Sequence, residues 1–342
     1  MTIKPLFTRL LLLLLLLIAI AALSAWLLLR SSLPQLDGQL NVAVQAPVSI
    51  QRDARGSVSI AAANRNDAAY ASGFVHAQDR YFQMDLARRF AAGELAALFG
   101  ARAMDFDRQR RKHQMRRRAE QALSGLSGDY RKLLQAYVDG VNAGLAQLGS
   151  KPYEYQLLRQ TPQAWRLADS ALVLAGMYFQ LQFSDARHEL NLGALQQCYA
   201  AEVFDFLAPV GTSWDAPMLG AEWPQAALPD ADQLNIRALP ELSQSEAILL
   251  HTETLPGSNS WAVSGKRSGQ QAAWLANDMH LGFGVPHIWY LLHLQYQDDA
   301  GQKVNVGGVS LPGMPFVVVG SNGHIAWGFT NSYGDWLDLI AL

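Results

Sequence analysis

Gly257-Ser258-Asn259-Ser260-Trp261 is the stretch on which the reading of this chain turns. Taken alone, it is a polar loop leading into a strand. It also suits the first residues of a mature subunit, because a serine with a free α-amino group carries its own general base. An α-amine titrates at about pH 8, roughly two units below lysine, so much of it is neutral at working pH. It can take the proton from its own hydroxyl, directly or through a water. The condition is that the Gly257–Ser258 bond be cut. A glycine ahead of the serine leaves Oγ an unhindered path to the preceding carbonyl.

The surroundings of this stretch sharpen the reading. Residues 210–257 contain Pro217, Pro224, Pro229, Pro240 and Pro256 in a run with no sustained period. A long irregular segment of this kind is functional or a linker, and here it predicts a removable spacer. From Ser258 the period becomes two, which predicts strands at Ser260–Val263 and Ala272–Ala276 around a Gly265–Gly269 turn. Further strands are expected at His287–Gln297, Val304–Val309, Phe316–Gly320 and His324–Thr330. Toward the N-terminus, alternation on both sides of Gly56 predicts a hairpin within 48–60. Helical spacing then runs from Asp67 to about Leu98, stopping at Gly100, and recurs at 115–148, 167–182 and 186–203. Helices first and strands later imply an α+β fold.

Composition bounds the rest. The chain has 342 residues, half of them hydrophobic, and a formal net charge of −2. Nothing in that balance calls for nucleic acid, and the one basic run, Arg108–Arg118, predicts a solvated helix face, with a membrane-surface role as the weaker alternative. Leu10–Leu29 is a run of twenty nearly unbroken apolar residues, long enough to span a bilayer. Lys4 and Arg9 precede it and Arg30 follows, which favours a cytoplasmic N-terminus. The run predicts an uncleaved anchor, with a cleaved signal near Ala22-Leu23-Ser24 as the alternative. Either way the body is expected to be exported, on the periplasmic side of the inner membrane. The expected organisation is a tail at 1–9, an anchor or signal at 10–29, a first region at 37–209, the spacer at 210–257 and a β-rich region at 258–342. The single cysteine, Cys198, cannot form an internal disulfide and is expected to be buried on a helix.

With these features in place, the chain resembles the penicillin acylase family of N-terminal nucleophile hydrolases. In the first half the likeness rests on Ile50–Gly56, on Gly73-Phe-Val-His-Ala-Gln-Asp-Arg80 and on Gln83-Met-Asp-Leu-Ala-Arg-Arg89. In the second half it rests on Gly257–Trp261, Leu275-Ala-Asn-Asp-Met-His280, Ile325-Ala-Trp-Gly-Phe-Thr330 and Gly334-Asp-Trp-Leu-Asp338. It covers nearly everything after the anchor. The resemblance implies an αββα sandwich and a precursor that cuts itself into an α chain, a discarded spacer and a β chain beginning at Ser258. It implies hydrolysis of an amide between a hydrophobic acyl group and an amine, through an acyl-enzyme on Ser258. Gly257 and Ser258 would flank the cleavage point. The backbone N–H of Asn331 would be one oxyanion donor, and such donors are each worth about 3–4 kcal/mol.

The same resemblance implies that His280 orients or hydrogen-bonds Ser258, although a histidine at a strand end is more often structural. Phe183 would line the acyl pocket, with Gln182, Leu281 and Val319 as neighbours, although Phe183 and Val319 also suit a core. Glu189, Asp335, the Leu337 carbonyl and Asp338 would hold one structural Ca²⁺, a hard ion that takes six to eight oxygens. His280 and Gln182 depart from the penicillin G acylases, so a strict penicillin G substrate is not expected. The chain stops at Leu342, part-way through the β region of a family member. It therefore reads as an N-terminal portion, expected to be inactive alone. The rivals are a membrane-anchored scaffold with an acylase-like fold and a conventional serine hydrolase, for which no Gly-x-Ser-x-Gly elbow is present.

Overall fold

Alternating residues on either side of Gly56 build β1 (Ser49–Arg52) and β2 (Val58–Asn64), paired antiparallel. The computed structural model to which they belong describes residues 4–182, 187–217, 219–235, 237, 257–331 and 339–340. Two units divide the chain, one of 1–178 with 257–330 and the other of 179–256 with 331–342. The first unit begins with α1 (Lys4–Ser31), of which Phe7–Ser31 has a mean hydropathy of 2.9. Among the described residues it is the one helix long and apolar enough to cross a membrane.

Asn64 ends β2 and caps α2 (Arg65–Ala92), its side-chain oxygen accepting the Asp67 N–H at 2.9 Å. The helix stops at Gly93, in the left-handed region at φ 69°, rather than at Gly100 as the apolar spacing suggested. Short helices α3 (Ala96–Phe99), α4 (Met104–Arg111) and α5 (Met115–Ser124) follow, then α6 (Gly128–Gln147), α7 (Tyr153–Leu157) and α8 (Leu167–Gln182). The helix expected over 115–148 is thus two, parted at Gly125–Ser127.

The basic run is a solvated face over most of its length, with Arg108, Arg111, Lys112, Arg117 and Arg118 exposed. It is broken at Gln114, which has a φ of 50°. Arg110 is buried over the rings of Phe90 and Phe106, and Arg116 pairs with Glu94 and Asp169.

In the second half, β5 (Tyr290–Gln297), β6 (Lys303–Ser310), β7 (Val317–Ser321) and β8 (Ala326–Trp327) join β1 and β2 in one six-stranded sheet of order β1-β2-β5-β6-β7-β8. The β2–β5 pair is parallel and the others are antiparallel. A separate antiparallel ribbon is formed by β3 (Ser258–Val263) and β4 (Trp274–Met279). Helices packed on a mixed sheet make the chain α+β; of the expected two sheets, the described residues supply one broad sheet and this ribbon.

Helix α2 lies between the sheet and α6. One side of it, with Ala71, Phe74 and Val75, meets Val58, Ile60, Tyr290, Leu292 and Leu294 of the sheet. The other brings Ala77, Tyr81 and Met84 against Tyr137, Val141, Tyr155 and Trp165. A Cβ on Gly140 would fall 1.9 Å from the Tyr70 carbonyl oxygen, and one on Gly73 would fall 2.1 Å from that of Tyr137. Only glycine lets the two helix backbones approach this closely.

The polar groups that α2 buries are paired inside. Asp85 accepts from Arg88 Nε at 2.7 Å, Arg89 Nε at 2.8 Å and the Tyr155 hydroxyl at 2.6 Å. Arg88 reaches on to Asp169 at 2.5 Å and lies over the Trp165 ring. A buried ion pair is tolerable only when its remaining donors and acceptors are also met, and here they are.

His76, also on α2, is fully buried. The Tyr137 hydroxyl accepts the Gly313 N–H at 2.9 Å, so its own proton points to His76 Nδ1 at 2.8 Å. That leaves the ring proton on Nε2, facing Ser310 Oγ at 2.9 Å, whose hydroxyl donates to the Tyr290 carbonyl at 3.1 Å. The chain of donors runs one way and has no acceptor for a second ring proton. Burial, and then the nearby Arg80 cation, push His76 down to about 3.

An unfolded histidine takes up its proton near pH 6.5, so between those values the unfolded chain binds more protons. Stability from this site is therefore complete above pH 6.5 and falls as pH drops toward 3, by about 1.4 kcal/mol per unit. Denaturant titrations at pH 7 and pH 5 should show a loss of about 2 kcal/mol. His76→Gln, uncharged at both values, should lose less between them; equal losses would contradict the buried neutral imidazole.

The second unit holds the end of α8, α9 (Arg187–Cys198) and α10 (Ala201–Leu207). The helix expected over 186–203 is thus broken at Tyr199–Ala200. Cys198 ends α9 exposed rather than buried. In the 210–235 stretch local turns recur, as where Asp215 accepts the Thr212 N–H at 2.7 Å.

Candidate active site

Ser258 is the first residue of β3 and pairs with Met279 at the end of β4. Its hydroxyl donates to the carbonyl oxygen of Gly257 at 2.7 Å. The backbone of the next residue beyond β4 closes the same corner, with the His280 N–H donating to that same Gly257 carbonyl at 3.2 Å. Two donors thus converge on the carbonyl of the bond that precedes Ser258. The His280 ring also lies against this corner: a Cβ on Gly257 would be 3.1 Å from Nδ1. A larger residue there would press on the ring, which would have to give by a few tenths of an ångström.

The other ring nitrogen fixes the tautomer. Nε2 is 2.9 Å from the Asp278 carboxylate and 3.2 Å from the Asn259 amide. A carboxylate only accepts, so Nε2 carries a proton, and in the neutral form of the ring Nδ1, on the Gly257 side, holds the lone pair. An amide oxygen, not its NH₂, then suits the Asn259 position toward Nε2. The His280–Asp278 pair is half-exposed, and water can reach it.

Asn277 fixes the ribbon from behind. Its NH₂ donates to the Asn259 carbonyl at 3.1 Å and to the Phe329 carbonyl at 3.0 Å, while its oxygen accepts the Phe329 N–H at 3.3 Å. One side chain therefore ties β3 to the segment after β8.

The structure thus brings together Gly257, Ser258 and His280. Leu281 follows directly, its N–H donating to the Met279 carbonyl at 2.9 Å. Val319 is on β7 opposite Val309, in the broad sheet. Asn331 belongs to the second unit, where its amide donates to the Leu181 carbonyl at 3.3 Å. Glu189 stands in the first turn of α9. Gln182 ends α8, its side chain outside the described residues, and Phe183, Asp335, Leu337 and Asp338 lie outside them entirely. Among the described residues no three His, Cys, Asp or Glu side chains gather as a metal site. Asn259, Asn277 and Asp278 were not singled out from sequence. Their signal was there, as polar residues in strands of otherwise alternating pattern.

The family model for penicillin amidase matches residues 47–342. This chain belongs to the penicillin amidase family. The acyl-homoserine lactone acylase QuiP of Pseudomonas aeruginosa is 32% identical over 324 residues, covering 94% of this chain and 37% of that protein. The penicillin acylase 2 proenzyme of Pseudomonas sp. (strain SE83) is 34% identical over 322 residues, covering 91% and 40%. The chain therefore spans well under half the length of these curated relatives. A thermostable penicillin G acylase from Alcaligenes faecalis overlays on 51% of this chain and 97% of its own, at 27% identity and a TM-score of 0.44.

Asn277→Ala should release the ribbon from the segment after β8. The expected cost is about 1–3 kcal/mol, since two carbonyls lose their donors. Hydrogen exchange at the amides of Ser258–Val263 should then quicken by about 10-fold or more, and unchanged exchange would show that the ribbon is held elsewhere.

Proposed function

We propose that this chain is the precursor part of a self-processing acylase whose nucleophile is Ser258. The observation that carries the reading is the Ser258 hydroxyl 2.7 Å from the Gly257 carbonyl oxygen. Attack by Oγ on that carbonyl carbon forms an ester, breaks the Gly257 C–Ser258 N bond and passes the hydroxyl proton to the departing amine. His280 Nδ1, its lone pair on this side, is the group placed to relay that proton. The His280 N–H steadies charge on the carbonyl oxygen as it develops. Water then releases the Gly257 carboxylate and leaves Ser258 with a free hydroxyl and a free α-amine.

In the mature form that amine is the base. It takes the Oγ proton, Oγ adds to the substrate carbonyl, and the proton goes to the leaving amine as the acyl-enzyme forms. Asn331 is proposed as an oxyanion donor. Gln182, Phe183, Leu281 and Val319 are proposed to line the site for a hydrophobic acyl group. The substrate is a small N-acyl amide of the class named for the relatives, a penicillin or an acyl-homoserine lactone. The partners are the chain's own two halves, 37–209 and the part from Ser258 onward, as a heterodimer. The helix at 7–31 suits a signal or anchor, with the body proposed to face the periplasm.

Ser258→Ala should abolish both processing and turnover. Intact mass and N-terminal sequencing of the protein from its native source should find a chain starting at Ser258, and the Ser258→Ala variant should stay whole. A wild-type protein that remains uncut would sink the reading.

One structural Ca²⁺ is proposed on Glu189, Asp335, the Leu337 carbonyl and Asp338, of which only Glu189 is among the described residues. The ion takes no part in the chemistry. Chelation should lower Tm by about 5 °C, as expected when a ligand of the folded state is removed, and added Ca²⁺ should restore it. An unchanged Tm would remove the ion from the proposal.

A further inference from the structure

The signature Gly73–Arg80 and its extension to Arg89 reach past the helical core toward the nucleophile's own segment. Three side chains on successive positions of one face of α2 grip the entry to β5. Asp79 accepts the Tyr290 hydroxyl at 2.6 Å and pairs with Arg52 at 2.7 Å. Arg80 Nη1 donates to the His287 carbonyl at 2.7 Å and to Gln83 Oε1 at 3.0 Å, and its guanidinium stands 5.8 Å from the Tyr290 ring centre. Gln83 Nε2 donates to the Pro286 carbonyl at 3.0 Å. Arg80 and Gln83 thus satisfy each other as well as two consecutive backbone carbonyls.

Between His280 and Pro286 the described residues supply no such grip. Leu281-Gly-Phe-Gly-Val285 leaves the nucleophile corner with two glycines among its five residues. Phe283 and Val285 are fully exposed. One end of this loop is fixed at Ser258 by the His280 N–H on the Gly257 carbonyl. The other end is fixed by Arg80 and Gln83. A glycine-containing loop that the described residues hold only at its ends takes its path from where those ends are placed.

We propose that Arg80 and Gln83 are positioning residues of the acylase site: they set the path of the Leu281–Val285 loop, and through it the enzyme's choice of acyl chain. This rests on the assignment of Ser258 as nucleophile. The loop is contiguous with that nucleophile and presents apolar side chains, which is the chemistry an acyl chain would meet. Neither clamp residue touches Ser258 or the bond before it. Loss of the clamp should therefore disturb selection of the acyl group and leave the cutting of Gly257–Ser258 in place.

Gln83→Glu is the sharpest variant. It keeps size and helix, and it keeps an acceptor for Arg80. It replaces the donor to the Pro286 carbonyl with a carboxylate oxygen that repels it. Two readouts are made on the protein from its native source. Chymotryptic nicking after Phe283, which needs no acylase activity, should quicken by about 10-fold as the loop is freed. The ratio of kcat/KM for a long against a short acyl amide should shift by about 10-fold, mostly through KM, the range a remodelled apolar pocket commands. Arg80→Met, which keeps an apolar stem and removes the donors to both the His287 carbonyl and Gln83, should move both readouts in the same direction; it also serves if Gln83→Glu fails to fold.

Wild-type nicking and wild-type selectivity in these variants would overturn the clamp. Faster nicking with unchanged selectivity would uphold the clamp but overturn the loop's role in choosing the acyl group. A wild-type protein that neither cuts itself nor turns over an amide would instead overturn the acylase reading on which the role depends.

Discussion

Helix α2 has almost no face left for water, and that constraint organises the rest of the first unit. Its apolar residues are satisfied by contact on both sides, with the sheet and with α6. Its polar residues have to be satisfied by particular partners, because an unpaired buried donor or acceptor costs more than a made hydrogen bond returns. His76 therefore fixes Tyr137 on α6 and Ser310 on β6 at once. Asp85 and Arg88 fix Tyr155 and Asp169, and so the course of the chain from 153 to 170. The glycines on α2 and α6 contribute in a different way, by removing the Cβ atoms that would force the helices apart.

This explains why sequence signatures far from Ser258 in the chain bear on the site around it. The polar residues of Gly73–Arg89 divide by direction. His76, Asp85, Arg88 and Arg89 turn inward to core partners, whereas Asp79, Arg80 and Gln83 turn to the entry of β5, after the Leu281–Val285 loop. A helix that is rigid for reasons of core packing thereby becomes the reference against which the candidate site is placed.

Much of this was legible from sequence, and what was not has physical causes. Periodicity located the hairpin at Gly56, the α8 helix and most strands of the second half, because alternation and 3.6-residue spacing are local properties; the strand expected at His324–Thr330 shrinks to Ala326–Trp327. It misplaced the end of α2, because Ala, Leu and Phe continue the helical spacing through 95–99 while the left-handed Gly93 breaks the backbone first. It read Arg108–Arg118 as solvated, which holds for Arg108, Arg111, Lys112, Arg117 and Arg118; it missed Arg110 and Arg116, since charge alone does not reveal that Phe90 and Phe106 form a platform for Arg110 or that Glu94 and Asp169 await Arg116. Around the candidate site, the family motif drew attention to Ser258 and His280, which the structure brings to one corner. Asn277 and Asp278 were not, because their importance lies in which strand they face, and register is a long-range property.

The sheet also bears on what cutting the chain at Gly257 would do. Strands β1 and β2 precede that bond, whereas β5 to β8 follow it, and all six share one sheet. The junction between the two sets is the parallel β2–β5 pair, covered by the core that Val58, Ile60, Leu292 and Leu294 build with α2. Across the same division run the Asp79–Tyr290, Arg80–His287, Gln83–Pro286 and His76–Ser310 bonds. Severing one peptide bond at the start of the ribbon removes none of these. The two pieces would stay joined through backbone ladder, apolar core and buried polar network together. The freed amine of Ser258 would then remain at the corner where Gly257 and His280 had met.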